Sequence, residues 1–107
     1  MSYKYMRLII MFDLPMENNT EKREYREFRN FLIKNGFLML QYSIYVRLCT
    51  NQTMADNYIK KIEGSLPSDG AIRGLIITEK QYKKMKIFLG QKSKNESIIT
   101  DKKMIIF

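Results

Sequence analysis

The sequence predicts an α+β fold of the ferredoxin-like kind, in which a split βαββαβ order builds an antiparallel sheet with both helices on one face. Two observations carry this. Sheet-type and helix-type periodicities alternate in the order β α β β α β along the chain. An unbroken apolar run, Leu8-Ile9-Ile10-Met11-Phe12, also stands where a central strand is needed. A length of 107 residues suits one domain with one core. Residues 1–90 are expected to form that domain, and residues 91–107 a Lys-rich C-terminal tail.

The first strand is expected from Tyr5 to Asp13, closed by Pro15, which cannot donate to a ladder. Asn18 to Thr20 then offer helix N-caps. A helix follows from about Thr20 to Asn35, with Tyr25, Phe28, Phe31 and Leu32 in one apolar stripe. Gly36 suits the residue after a helix, where positive φ is common. Phe37 to Gln41 and Tyr42 to Cys49 read as the second and third strands, joined by a bulge or bend near Leu40 to Tyr42. Thr50 to Thr53 supply the next cap, and Ala55, Tyr58, Ile59, Ile62 and Leu66 recur at helical spacing. Pro67 to Gly70 form a turn, and Ala71 to Thr78 a fourth strand. Glu79 to Lys84 suit one short helical turn. Lys86 to Gly90 suit a fifth strand, and Met104 to Phe107 a terminal strand-like tetrapeptide.

The strands carry too many apolar residues for the second face of the sheet to stay in water. A symmetric dimer is the simplest cover for it.

Composition excludes whole classes of chemistry. There is no His, which removes His-based bases, triads and metal clusters. Cys49 is the single cysteine, so neither an internal disulfide nor a Cys-rich zinc site can form, and a reducing cytoplasm is expected. No apolar run approaches 18 residues, so no membrane span is expected, and Leu8 to Phe12 read as a strand rather than a signal peptide. Lys and Arg number 19 against 11 Asp and Glu, a formal net charge of +8 that favours an anionic partner, most simply nucleic acid.

Asp13 is the outstanding carboxylate, placed at the mouth of the first strand. Its plainest role is to cap a turn. One such group is too few for magnesium, but a twofold axis near the first strand would set two copies face to face around one shared cation. Glu17, Glu21, Glu24 and Glu27 read as a solvated helix face paired with Lys22, Arg23 and Arg26. Ser43 lacks an activating base and is no nucleophile. Beside a carboxylate its hydroxyl can hold water or phosphate, or it can bond across the sheet.

The cations form the other constellation. Lys22, Arg23, Arg26 and Lys34 on the first helix, Lys60 and Lys61 on the second, and Lys80, Lys83, Lys84 and Lys86 beyond the fourth strand are candidate phosphate contacts. No Lys/Arg-Gly-Phe-type RNA-recognition signature is present, so backbone contact to a duplex is favoured over base readout. Met104, Ile105, Ile106 and Phe107 are candidates for docking by strand addition, on their own protomer, a dimer mate or another protein.

These pieces together resemble the CRISPR-associated protein two family, the small core subunit of the spacer-acquisition machinery. The match lies in Met6 to Pro15, in Tyr25 to Leu32, in Gly36-Phe37 and in Gln41 to Tyr45. Thr78-Glu79-Lys80-Gln81-Tyr82 is similar to the branch that accompanies single-effector, type II systems. The resemblance implies a ferredoxin-like symmetric dimer that bridges two dimers of the CRISPR-associated integrase and holds a duplex prespacer. It implies Asp13 as a magnesium ligand near the twofold axis, and docking of the segment near Met104 to Phe107 on the integrase by strand addition. It also implies duplex contacts from the basic residues of the first helix and the Lys-rich segment. Some members of that family are described as metal-dependent nucleases on single-stranded RNA or duplex DNA.

Two readings lead. One is a DNA-binding scaffold that needs no catalysis. The other is a magnesium-dependent endonuclease using Asp13 from both protomers. A third, a regulatory module for a small ligand, is disfavoured by the +8 charge and by the lack of a Gly-rich phosphate loop.

Overall fold

The computed structural model describes residues 5–90. The order is β1 (Met6–Asp13), α1 (Asn19–Lys34), β2 (Leu38–Gln41), β3 (Ile44–Cys49), α2 (Gln52–Glu63), β4 (Ala71–Thr78) and α3 (Glu79–Lys83). The four strands form one antiparallel-paired sheet in the order β2-β3-β1-β4. This is the expected βαββαβ topology, with the apolar β1 hydrogen-bonded on both sides. The terminal strand-like segment, with the rest of 91–107, lies outside the described residues.

Alternation along β1 sorts its side chains between two layers. Leu8, Ile10 and Phe12 join Phe28 and Leu32 of α1, Ala55 and Ile62 of α2, and Phe37, Tyr45 and Cys49 in the main core. Both long helices therefore cover one face. Ile9, with Val46 and Tyr82, forms a smaller cluster on the other, so α3 crosses that second face. Leu75 remains 51% exposed there, and Met11 and Ile44 are half-buried.

The helix ends follow from local chemistry. Asn18 caps α1 by accepting from the Glu21 N–H at 2.8 Å, while the Glu21 side chain accepts from the Asn18 N–H at 3.2 Å. Asn51 caps α2 through the Met54 N–H at 2.8 Å. Gly36 sits at φ +87°, as a residue beyond a helix end often does. A Cβ there would also lie 3.0 Å from Nη2 of Arg47. That guanidinium donates to the Asn35 carbonyl at 2.8 Å and to the Tyr58 hydroxyl at 2.9 Å, tying the end of α1 to α2.

The expected irregularity between the second and third strands is present. Register shifts between Met39 and Gln41, which makes Leu40 the extra residue of a bulge. Ser43 then closes the turn at φ +64°.

Two expectations are corrected. Leu66 is not on the second helix: α2 ends at Glu63, Gly64 closes it, and Leu66 is exposed ahead of Pro67. Lys86 to Gly90 form no strand, because no ladder partner lies beside them among the described residues. Phe88 and Leu89 are instead 91% and 94% exposed.

Candidate functional site

Asp13 ends β1 opposite Ala71 of β4 and is exposed. The chain is held close around it. A Cβ on Gly70, which has φ +106°, would lie 2.9 Å from the Asp13 carbonyl and 2.6 Å from Leu14 Cδ2. Only glycine lets the α2–β4 loop pass so near the strand mouth. The expected turn-capping bond is not made: the Asp13 carboxylate has no hydrogen-bond partner among the described residues. Asp69 caps the neighbouring turn instead, accepting from the Gly70 N–H at 2.7 Å.

No group of three or more His, Cys, Asp or Glu side chains that could hold a metal occurs among the described residues. Magnesium usually takes one or two carboxylates along with waters and substrate phosphates. Asp13 belongs to no such group of three among the described residues of one chain. A shared site needs a second copy.

Ser43 enters through its backbone. Its carbonyl accepts from the Phe12 N–H at 3.1 Å, which fastens the β2–β3 turn to β1 one residue before Asp13. The helix acids act as local structure. Glu21 caps, Glu27 lies 3.7 Å from Arg23, and Glu24 accepts from the Ser68 hydroxyl at 2.8 Å and N–H at 3.2 Å. Those Ser68 bonds, the side-chain one foremost, hold the Glu24 carboxyl below its ordinary value.

The candidate cations do not converge on one point. Lys22, Arg23 and Arg26 lie along α1, in the helix layer. Lys34, Lys60 and Lys61 belong to that layer too, and Lys61 Nζ sits 4.9 Å over the Tyr58 ring. Lys80, Lys83, Lys84 and Lys86 are exposed on and after α3, across the sheet. That helix is anchored at the opposite end of β1 from Asp13. The Glu79 N–H donates to the Tyr5 carbonyl at 3.0 Å. Eight strand residues span roughly 24 Å, so the α3 lysines and Asp13 are separate features of one protomer.

Sequence reasoning gave no role to the residue that fixes α3. Arg7 is 1% exposed within apolar β1. Its Nη2 donates to Glu79 Oε2 at 3.0 Å, its Nε donates to Oε1, and its Cζ lies 4.3 Å over the Tyr82 ring. The available signal was a cation at the start of a strand otherwise too apolar for one. Met104 to Phe107, the candidate docking peptide, lie outside the described residues. No helix among the described residues is long and apolar enough to cross a membrane.

Comparison with known proteins bears on this arrangement directly. The family described as "CRISPR associated protein Cas2" matches residues 6–85, which run from the start of β1 through α3. A CRISPR-associated endoribonuclease Cas2 of Ligilactobacillus salivarius is 54% identical over 89 residues, covering 83% of this chain and 88% of that protein. The protein of the same name from Treponema denticola is 43% identical over 101 residues, covering 94% and 99%. That of Campylobacter jejuni is 40% identical over 104 residues, covering 97% and 73%. With β1, its exposed Asp13 and the α3 segment all inside the matched span, the chain belongs to the CRISPR associated protein Cas2 family.

Proposed function

We propose that this chain is a DNA-binding scaffold subunit of the CRISPR adaptation complex, acting in the cytoplasm as a homodimer that bridges integrase dimers and holds a duplex prespacer by its backbone. The dispersal of cations over two layers of the fold carries this reading. Lys22, Arg23 and Arg26 lie on one side of the sheet and Lys80, Lys83 and Lys84 on the other, a layout suited to a long phosphate track rather than a closed reaction pocket. The half-covered second face, with Leu75 exposed, is the natural place for the second copy. The Met104 to Phe107 segment is assigned to docking on the integrase by strand addition.

A second reading is favoured by the relatives, which are named endoribonucleases. In it, Asp13 from both protomers would hold one magnesium ion, which when bound supplies Lewis-acid activation of a phosphodiester in RNA or duplex DNA. The exposure of Asp13 and its lack of a hydrogen-bond partner among the described residues leave the carboxylate available for that role.

One experiment separates them. Duplex DNA and single-stranded RNA are incubated with wild type and Asp13→Ala, with and without magnesium, and binding and cleavage are scored in the same samples. Binding without cleavage, equal in both proteins, supports the scaffold. Magnesium-dependent cutting that disappears in Asp13→Ala supports the nuclease.

A further inference from the structure

The β2–β3 turn carries a side chain that turns rarely favour. Tight turns select small polar residues, yet Tyr42 stands beside Ser43 there with 67% of its surface exposed. Its ring has a partner. It stacks on Tyr25 of α1, with centroids 6.5 Å apart and planes 24° from parallel. Tyr25 in turn meets Phe12 at 5.9 Å, and Phe12 stacks on the buried Tyr45 at 5.7 Å. An aromatic column therefore runs from the core to the surface, and Tyr42 is its outer member.

The neighbouring Tyr25 hydroxyl pushes the Tyr42 phenol above its ordinary value. One further contact restrains the turn that carries it. The Phe12 N–H to Ser43 carbonyl bond pins the turn to β1. An aromatic surface fixed in this way has lost its freedom before any ligand arrives, which lowers the entropy cost of stacking on it.

Charges of both signs lie around the turn: the exposed Asp13 directly follows Phe12, to which the turn is bonded, and two cations stand on the helix behind it. Lys22 and Arg29 lie three residues before and four after Tyr25, on the same side of α1, and both are exposed. Glu21, also near, is engaged in the helix cap. An exposed aromatic backed by a helix side that carries two cations suits a flat aromatic ligand on an anionic chain.

We infer that Tyr42, backed by Tyr25, is a stacking platform for an unpaired base of a single-stranded nucleic acid, with Lys22 and Arg29 taking the flanking phosphates. Stacking of this kind is tolerant of sequence, since every base has a π-face. The inference rests on the nucleic-acid-binding reading and extends it from paired to unpaired segments.

The test uses the full chain, a single-stranded oligoribonucleotide carrying 2-aminopurine, and a fully paired duplex of the same length. Wild type should quench the 2-aminopurine on binding. Tyr42→Ala should weaken single-strand binding about ten-fold and abolish the quench, while Tyr42→Phe should retain both. Duplex binding should be the same in all three proteins. The inference is overturned if Tyr42→Ala binds and quenches like wild type. It is equally overturned if that variant loses single-strand and duplex binding together, or changes only the oligomeric state. If wild type binds neither probe, the nucleic-acid reading itself fails, an outcome distinct from a defect confined to Tyr42.

Discussion

Arg7 in β1 and Glu79 at the start of α3, 72 residues apart in the chain, form a bidentate ion pair against the Tyr82 ring. The guanidinium is buried and the carboxylate side chain 19% exposed, so the pair is only partly screened. Removing Glu79 strands a buried cation, whereas removing both charges does not. Glu79→Ala should cost about 3 kcal/mol, and Arg7→Leu combined with Glu79→Leu distinctly less. Urea unfolding at one fixed protein concentration measures this. A loss in Glu79→Ala under about 0.5 kcal/mol would refute the pair's structural role.

Asp13 should behave in the opposite way. It is exposed and has no hydrogen-bond partner among the described residues. Asp13→Ala should therefore unfold within about 0.5 kcal/mol of wild type, so any lost cleavage reports chemistry rather than folding. Thermal unfolding run beside the nuclease assay checks this, and a markedly lower Tm would contradict it.

Gly70 admits no side chain. Its φ of +106° and the 2.6 Å approach to Leu14 predict that Gly70→Ala costs more than about 1 kcal/mol. Backbone amide shifts in NMR spectra should concentrate at residues 13–15. Unchanged shifts there with unchanged stability would show that the loop relaxes freely.

Glu24 links pH to the α1–loop contact. Its folded pKa is depressed by the Ser68 bonds. The stabilisation is then complete above the ordinary carboxylate pKa and is lost as pH falls through the lower folded value. Wild type and Glu24→Gln should differ most near neutrality and converge in acid. Unfolding midpoints followed from neutral pH into strong acid trace the effect, and a gap that stays constant would rule out the linkage.

Phosphate binding by α3 carries a salt signature. Replacing Lys80, Lys83 and Lys84 with Gln should flatten the log–log dependence of duplex affinity on salt by about 0.9 for each phosphate no longer neutralised. An unaltered slope would place the duplex elsewhere.

Much of this arrangement is legible in the sequence, and the limits have physical causes. Helix and strand periods are local, so α1, β4 and the bulge near Leu40 could be read from neighbouring residues. Asp13 stands out because a carboxylate directly after five apolar residues is visible in the chain. Arg7 was opaque because its partner lies in another element and only the register of β1 with β4 brings them together. Glu24 with Ser68, and Tyr25 with Tyr42, were hidden for the same reason. Ile87-Phe88-Leu89 has strand composition, but a strand also requires an adjacent edge, which composition does not encode.

The place of β1 in the sheet also constrains how the chain is made. It is synthesised ahead of both strands that pair with it, Ile44–Cys49 and Ala71–Thr78. During translation the run from Leu8 to Phe12 must leave the ribosome unpaired and wait until residue 78 has followed before both its edges can be filled. For those seconds it is a short, uncharged, β-prone segment of the kind that chaperones hold and that aggregates recruit. Slow synthesis past β3 would lengthen that exposure, so yield in the cell should depend on translation speed through residues 50–78 as well as on the stability of the finished sheet.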